Sequence, residues 1–372
     1  MKAVYIVKQA VATGLGSGLE ENWARLLKGE SAVAAVDPRH AHRSGGRRAA
    51  IIPDLMPVGG ENRVCAAARR VLERIRPVAP ETCILWTGLK GNAEYIEAGG
   101  KKAMPFLPEH YRRWVAGLLG NRGPGLDISA ACASSTVGLA IGAQKIARGE
   151  YGAVLVCAAD VVTGFVAAGF AALRALTAGA CRPFDSARDG MCVGDGAVAI
   201  LLADAKTAAD WDLDRLAMIS GWGISNDANH ITGPARDGSG LAAAIETAMV
   251  MAGTAPDEVQ AFCAHGTGTV FNDGMELAAI ETVYGSRLFP IFSIKGAIGH
   301  TLGAAGGIDA AISVHALGQK RVPPTVGLTT PESLAVGRVS NRVQAFGGRT
   351  ILTTNSGFGG INAALLLQSV DS

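Results

Sequence analysis

Short apolar runs recur along the chain, and each leads into glycines or into a helical pattern. Runs of this length are typical of buried strands. Five lie in the first half of the chain and five in the second, on either side of the polar segment Ala203–Asp214. The predicted strands are Ala3–Ala10, Cys83–Thr87, Gly125–Ser129, Ala153–Ala158, Ala197–Ala203, Leu216–Trp222, Val259–Ala264, Phe289–Ile294, Thr350–Thr354 and Ala363–Leu367.

Helix-length segments separate most of the predicted strands. This alternation favours parallel sheets that are covered by helices. Ser135–Arg148 and Gly303–Leu317 are rich in small residues with spaced apolar positions, so we predict that they are helices in the centre of the molecule. The recurrence predicts a duplicated α/β unit, with one half at residues 1–208 and the other at residues 209–372.

The composition is that of an ordered globular protein with a large core. Of the 372 residues, 49% are hydrophobic and 18% are charged, and the net charge of +2 does not indicate nucleic-acid binding. Lys8 and the glycines that follow it break the first apolar run, so we predict no signal peptide there. No apolar stretch is long enough to span a membrane.

The cysteines are scattered and form no CxxC pair. This spacing predicts neither a structural zinc site nor the disulfide framework of a secreted domain. A reducing cytoplasm is therefore the predicted location, and no metal site is expected. The seven cysteines are Cys65, Cys83, Cys132, Cys157, Cys181, Cys192 and Cys263.

Cys132 lies between a predicted strand and a predicted helix, in the segment DISAACASSTVGLA. The positive end of a helix dipole favours a thiolate, so this position predicts a lowered pKa and a nucleophilic sulfur. A small cysteine among alanines is also compatible with simple core packing.

Two histidines and a lysine occupy similar junctions. His265 directly follows the predicted strand Val259–Ala264, and His300 and Lys295 follow the predicted strand Phe289–Ile294. Each alone is compatible with a structural role. Together with Cys132 they indicate a catalytic site, because open α/β sheets bind ligands at such junctions.

Three motifs, SAACASS, HGTGTVFND and IKGAIGHTLGAAGG, occur in this order along the chain. With RPFDSARDGMCVGDGA and the closing NSGFGGINA, they make the chain resemble a β-ketoacyl-acyl carrier protein synthase over nearly its whole length. The resemblance implies the thiolase fold, in which two similar βαβαβ halves form five layers in the order α-β-α-β-α.

The resemblance also implies an acyltransferase activity. Cys132 would be the nucleophile that carries an acyl group, and His265 and His300 would stabilise the enolate formed when malonyl-carrier protein loses carbon dioxide. Backbone N–H groups of Cys132 and Phe358 would form the oxyanion hole. The product is a 3-oxoacyl chain two carbons longer, in fatty acid or polyketide/polyene biosynthesis.

The substrates of such enzymes are carried on the phosphopantetheine of acyl carrier protein, and the chain itself is expected to bind no cofactor. Thr267 and Thr269 match positions that hydrogen-bond the phosphopantetheine arm. The expected partners are acyl carrier protein and a second subunit, in a homodimer or in a heterodimer with a paralogous synthase or chain-length subunit. No nucleic-acid or membrane partner is expected.

Three acidic residues match supporting positions of the family. Lys295 would orient the histidine region, and similar enzymes pair it with a glutamate where this chain has Asp309. The shorter side chain leaves the geometry of that pair open. Asp273 and Glu276 match acidic positions that support the site, although both are also compatible with a solvated helix face. Ser356 replaces a phenylalanine that commonly gates the acyl pocket.

Two other functions are compatible with these motifs. A non-catalytic chain-length-determining subunit of a heterodimeric ketosynthase is the main alternative, but such subunits generally lack the cysteine that this chain retains. A Cys-His hydrolase would release the acyl group to water, and the second histidine and Lys295 argue against it.

Several other polar features are not expected to be sites. Gly14–Gly18 has the spacing GxGxG and is interpreted as a turn rather than a dinucleotide loop. His40, His42, His110, His230 and His315 belong to no matching constellation of catalytic residues and are expected to be surface or structural groups. A run of arginines is expected to be a solvated surface, or else a docking surface for an acidic carrier protein. These are Arg39, Arg43, Arg47, Arg48, Arg63, Arg69, Arg70, Arg74 and Arg76.

Overall fold

The computed structural model describes residues 1–36, 48–59, 61–91, 93–97 and 108–370. The strands in these ranges are β1 (Val4–Thr13), β2 (Val33–Ala35), β3 (Arg48–Ala50), β4 (Cys83–Trp86), β5 (Gly125–Asp127), β6 (Ala153–Asp160), β7 (Val193–Gly194), β8 (Gly196–Asp204), β9 (Ala217–Asn226), β10 (Ala261–Cys263), β11 (Ile291–Phe292), β12 (Arg321–Val322), β13 (Gln344–Ala345), β14 (Thr350–Gly357) and β15 (Ile361–Gln368).

The α-helices in the same ranges are α1 (Leu19–Leu27), α2 (Arg63–Ile75), α3 (Ala93–Glu97), α4 (Pro108–Leu119), α5 (Ser134–Ala147), α6 (Gly164–Ala172), α7 (Ala205–Asp210), α8 (Ser239–Ala252), α9 (Val270–Tyr284), α10 (Lys295–Ile298) and α11 (Ala305–Gln319). Short 3₁₀ turns occur at Pro256–Glu258, Leu302–Ala304 and Ser333–Ala335. None of the helices in the described ranges combines the length and the apolar character needed to cross a membrane.

The ten predicted strands correspond to the ten strands of the largest sheet. Its order is β11-β10-β14-β15-β9-β1-β8-β6-β4-β5. From the centre outwards, the first half contributes β1, β8, β6, β4 and β5, which are its first, fifth, fourth, second and third strands. The second half contributes β9, β15, β14, β10 and β11, which are its strands in the same order. The same topology therefore occurs twice, as a duplicated α/β unit requires. The division at residues 208 and 209 falls in the connection between β8 and β9 and stays a prediction.

The prediction of parallel sheets covered by helices holds only in part, because the sheet is mixed. Parallel pairs occur towards its two ends, where β4 lies between β5 and β6 and β10 lies between β11 and β14. The central pairs are antiparallel. One reason is visible in the chain: only residues 358–360 connect β14 to β15, and a connection this short can join only antiparallel neighbours.

Three apolar cores separate the layers. Alternate residues of β6 face two of them: Val154 and Val156 pack towards the central helices, whereas Leu155 packs towards α2. In β15, Leu365 faces the central core and Leu366 faces the core beneath α8 and α9. The order of layers is therefore helices, strands, central helices α5 and α11, strands and helices, which confirms the five-layer fold.

The two central helices approach each other closely. A Cβ atom at Gly306 of α11 would lie 1.9 Å from the Oγ1 atom of Thr136 in α5, so only glycine fits there. Because α5 begins beside Cys132 and α11 carries Asp309, this contact brings two distant segments of the chain to one place.

Candidate active site

Cys132 lies in the loop between β5 and α5, two residues before the first residue of the helix. The preceding residue, Ala131, has a φ of 48°, a left-handed conformation that is unusual for a residue with a side chain. The Cys132 side chain is buried, at 7% exposure. The position at a strand-to-helix junction is therefore as the sequence indicates.

The prediction of a lowered pKa for Cys132 is wrong. Burial raises the pKa of the Cys132 thiol to about 11, and the positive charges of Lys90 and Lys295 oppose this effect only in part. Desolvation of the charged form outweighs nearby positive charge here. The resting side chain is consequently a neutral thiol.

His265 follows β10, and its backbone N–H donates to the Oε1 atom of Glu276 at 2.7 Å. His300 is held by the other half of the chain, since its backbone N–H donates to the carbonyl of Cys192 at 2.7 Å. The Sγ atom of Cys132 and one ring nitrogen of each histidine all lie within 4.8 Å of one another. The structure thus brings together three residues that are remote in sequence.

Both imidazoles are neutral. Burial, with a smaller contribution from the charge of Lys295, lowers the pKa of His300 to about 3 and that of His265 well below its usual value. The Nδ1 atom of His300 accepts the backbone N–H of Leu302 at 3.3 Å, and the Nδ1 atom of His265 lies 3.0 Å from the Nδ2 atom of Asn355. Because each Nδ1 atom faces a donor, each histidine carries its proton on Nε2.

This arrangement is unsuited to a metal ion. A histidine that binds a metal through Nε2 must carry its proton on Nδ1 and donate it to an acceptor. In His265 and His300 the Nδ1 atoms face donors instead. What the site offers is two Nε2–H donors next to a thiol.

Lys295 and Asp309 form a buried ion pair. The distance from Nζ to Oδ2 is 2.8 Å, so the aspartate reaches the lysine in spite of its shorter side chain. Burial is the largest single effect on the pKa of Lys295 and lowers it, but the charge and the hydrogen bond of Asp309, together with other nearby groups, outweigh burial and raise the pKa. A permanent positive charge therefore lies near the two neutral imidazoles.

The loop after His265 is shaped by two carboxylates of α9. Glu276 also accepts the backbone N–H of Gly266 at 2.6 Å, and Asp273 accepts that of Thr267 at 2.9 Å. Both acids are fully buried, so the alternative of a solvated helix face is wrong for each. Burial, together with the charge of Asp273, raises the pKa of Glu276 to about 8.

Comparisons with known proteins show the family to which the chain belongs. The N-terminal domain of β-ketoacyl synthases matches residues 100–208, and the C-terminal domain matches residues 216–329. The 3-oxoacyl-[acyl-carrier-protein] synthase 2 of Vibrio cholerae serotype O1 is 36% identical over 75% of this chain and 71% of its own length. This chain belongs to the β-ketoacyl synthase family.

Two further relatives extend over the full chain. The 3-oxoacyl-[acyl-carrier-protein] synthase 2 of Vibrio harveyi is 29% identical over 99% of both proteins. The solved structure of the ishigamide ketosynthase/chain length factor is 27% identical, covers 100% of both chains and superposes with a TM-score of 0.88. The likeness thus covers both halves of this β-ketoacyl synthase.

A cavity of about 840 Å³ opens onto the site of this β-ketoacyl synthase. Cys132, Thr267 and Thr269 line it, and the hydroxyl oxygens of the two threonines lie 2.9 Å apart. Val270 and Phe271 also line it and are more than half exposed, so they mark its opening to solvent. The threonines predicted to contact the phosphopantetheine arm therefore lie along the route to Cys132.

The end of β14 forms another wall of the cavity. A Cβ atom at Gly357 would lie 2.9 Å from the carbonyl oxygen of Ala130 and 3.1 Å from the backbone nitrogen of Cys132. This close approach places the backbone of Gly357, the residue before Phe358, against that of Cys132. Ser356 also lines the cavity, and its hydroxyl donates to the Oδ1 atom of Asn362 at 2.7 Å.

Some residues near the site were not identified from the sequence. Asn355 contacts both His265 and Asp309, and its only sequence signal is its place in the closing motif. His230, which we expected to be a surface or structural group, lines the mouth of the cavity. Lys90 has no distinguishing motif, and its charge acts on Cys132 only through the fold.

The residues discounted in the sequence behave mostly as structural groups. Gly14–Gly18 begins with a turn in which Thr13 and Gly16 exchange backbone hydrogen bonds of 2.9 and 3.0 Å. The side chain of His315 packs against the ring of Trp23. His40, His42, Arg39, Arg43 and Arg47 lie outside the described residues.

The arginine run is not a uniformly solvated surface. Arg63 is buried, and its NH2 atom donates to the Oδ2 atom of Asp195 at 2.6 Å. Arg48 and Arg70 donate to backbone carbonyls of their own chain. The interpretation as a solvated or docking surface is therefore wrong for Arg63, which has a structural contact instead.

Proposed function

We propose that this chain is a 3-oxoacyl-[acyl carrier protein] synthase that uses Cys132 as its nucleophile. The observation that carries the proposal is the grouping of one thiol and two neutral imidazoles within 4.8 Å at the end of a cavity. The motifs around these residues support the same assignment, and so does the similarity of the chain to proteins named 3-oxoacyl-[acyl-carrier-protein] synthase 2.

In the first step, the sulfur of Cys132 attacks the acyl thioester of a loaded carrier protein. The bond between the acyl carbon and the pantetheine sulfur breaks, and the proton of the Cys132 thiol passes to that departing sulfur. Backbone N–H groups of Cys132 and Phe358 stabilise the tetrahedral oxyanion. A neutral thiol suits this exchange because no net charge is created in a buried site.

In the second step, malonyl-carrier protein enters and loses carbon dioxide. The electron pair of the broken carbon–carbon bond forms an enolate, and the Nε2–H groups of His265 and His300 donate to its oxygen. Neutral imidazoles are needed because each must donate one hydrogen bond without releasing its proton. Lys295 acts through its charge, which adds to the larger effect of burial in keeping both rings neutral.

In the third step, the enolate carbon attacks the acyl group on Cys132 and displaces its sulfur. A 3-oxoacyl chain two carbons longer leaves on the carrier protein. The displaced thiolate takes up a proton, as the raised pKa of Cys132 requires. Each cycle therefore consumes one proton and releases one molecule of carbon dioxide.

The partners follow from the same proposal. Acyl carrier protein delivers both substrates on its phosphopantetheine arm, and the chain itself supplies no cofactor. A second subunit completes the enzyme, either another copy of this chain or a paralogous chain-length subunit, as in the ketosynthase/chain length factor structure. Cytoplasmic location and the role in fatty acid or polyketide/polyene biosynthesis remain predictions.

The test supplies purified protein with acyl- and malonyl-carrier protein. The expected result is an acyl adduct on Cys132 and a 3-oxoacyl product on the carrier protein, both measured by intact mass, with the released carbon dioxide trapped and measured separately. Cys132→Ala should abolish the adduct and the product, whereas Cys65→Ala, another buried thiol in α2, should retain both. Absence of any adduct on Cys132, both in the parent protein alone and after mixing with a paralogous chain-length subunit, would exclude the proposal.

The same experiment separates the alternatives. A chain-length-determining subunit would show no adduct alone, and a synthase-like partner would carry the adduct after mixing. A Cys-His hydrolase would form the adduct and release a free acid in the absence of malonyl-carrier protein.

A further inference from the structure

We propose that Asn355 is a positioning residue for decarboxylation: its amide joins the Lys295–Asp309 ion pair to His265 and holds the His265 proton on Nε2. This inference rests on the function proposed above. No motif assigns the role, and it follows from three side-chain contacts near the end of β14.

Asn355 is completely buried and contacts three side chains. Its Nδ2 atom donates to the Oδ2 atom of Asp309 at 2.8 Å and lies 3.0 Å from the Nδ1 atom of His265. Its Oδ1 atom accepts the hydroxyl of Thr136 at 2.6 Å. Both amide protons and the amide oxygen therefore have partners.

The orientation of the amide is fixed by chemistry. The Asp309 carboxylate that neutralises Lys295 can only accept hydrogen bonds, so the NH2 group of Asn355 must face it. The reverse orientation would place the amide oxygen against a carboxylate oxygen and against the lone pair of His265. The second N–H group of Asn355 therefore points at His265.

This orientation decides where His265 carries its proton. With an N–H group facing it, the Nδ1 atom must be an acceptor, and the proton lies on Nε2. Protonation of Nδ1 would set two donors against each other, so Asn355 also disfavours the imidazolium form. The donor needed for the enolate is thereby prepared before malonyl-carrier protein enters.

The central helices α5 and α11 leave room for this hydrogen-bond network at Gly306. A Cβ atom at Gly306 would lie 1.9 Å from the Oγ1 atom of Thr136 and 2.6 Å from the Oδ1 atom of Asn355. Glycine at this position of α11 lets the hydrogen bond between Thr136 and Asn355 form. Asp309 lies on the same helix, so the helix supplies both the space and the acceptor.

An asparagine with a purely structural role would make the same contacts. The test therefore needs a measurement that a change in stability alone would not alter. Asn355→Asp keeps the shape but places a carboxylate at the Nδ1 atom of His265. The expected result is a shift of the His265 proton to Nδ1, or a doubly protonated ring. Nitrogen-15 NMR of histidine-labelled protein detects either form, with His265→Gln to assign the signal.

The kinetic prediction has two parts. Acylation of Cys132 should change by no more than about threefold, whereas malonyl decarboxylation should fall by about 10²–10³, the usual cost of losing one oxyanion donor. In the pH profile of the decarboxylation rate, the acidic limb, where the rate falls at low pH, should also move to higher pH. The reason is that the new carboxylate favours the imidazolium form of His265.

Asn362→Asp is the matched control. Asn362 is buried on the neighbouring strand β15, and its Nδ2 atom donates to the Oδ1 atom of Asp227 at 2.7 Å, so the substitution again sets a carboxylate against a carboxylate. It has no contact with His265, and the His265 signal and the pH profile should stay as in the parent.

If Asn355→Asp does not fold, Asn355→Ser decides the question. It removes the contact with His265 without adding charge, and a mixture of His265 tautomers is expected. An unchanged Nε2–H signal and an unchanged acidic limb in the variant that folds would overturn the role of Asn355. A parent protein that fails to condense substrates would instead count against the proposed function and leave the NMR result interpretable.

Discussion

The Nζ atom of Lys295 lies 2.8 Å from the Oδ2 atom of Asp309, and neither side chain is more than 2% exposed. The pair joins α10 to the central helix α11, beside both histidines. Its positive member adds to the effect of burial in lowering the pKa of each imidazole. An ion pair in this position therefore contributes to the protonation state of the site as well as linking two helices.

Lys295→Met should destabilise the fold by about 3–5 kcal/mol, because it leaves the Asp309 carboxylate buried without a partner. The double variant Lys295→Met with Asp309→Leu removes both charges and should recover most of that loss, but not the condensing activity. Urea unfolding at neutral pH measures the free energy of unfolding of the parent, the single variant and the double variant. A single variant as stable as the parent would show that the pair is not a closed ion pair in solution.

Glu276 should make stability fall as the pH rises towards 8. Burial raises its pKa to about 8 from the usual 4.5, so the folded state binds more protons than the unfolded state between these values. His300 acts in the opposite direction, since its lowered pKa costs stability as the pH falls from 6.5 towards about 3. Above pH 6.5, Glu276 is therefore the one of these two groups that still makes the stability depend on pH.

Glu276→Gln should remove the decline in stability between pH 6.5 and 8, although it weakens the contact with the His265 backbone. The midpoint of urea unfolding, measured across this pH range, checks the slope of stability against pH. Glu246→Gln, on the exposed face of α8, is the matched control and should keep the slope of the parent. The same slope in Glu276→Gln and in the parent would assign the effect to another group.

Ser356→Phe should restrict the acyl chains that reach Cys132. Ser356 lines the cavity, so a phenyl ring at this position would take up space that the serine leaves free. Intact-mass measurement of acyl groups on Cys132, after exposure to carrier-linked chains of increasing length, should show loss of the longer chains. Ser356→Ala controls for the lost hydrogen bond to Asn362, and an identical chain-length range in both variants would contradict the prediction.

The sequence alone determined the ten strands of the large sheet and the two central helices. Each predicted strand overlaps an observed one, as with Ala153–Ala158 and β6. Ser135–Arg148 corresponds to α5 with a shift of one residue at each end. Local apolar patterns suffice for this because they report which faces of an element are buried. The motifs likewise identified the family, and they singled out Cys132, His265 and His300, which the structure brings together.

Only the tertiary structure decided strand direction, the ionisation of Cys132 and the place of Asn355. Strand direction depends on how distant strands pair, and the pKa of a thiol depends on burial and on charges that the fold brings near it. Asn355 is 90 positions from His265 and 46 from Asp309, so no local pattern records that they meet. These properties arise from contacts between residues far apart in the chain, and such contacts exist only once the two halves have folded together.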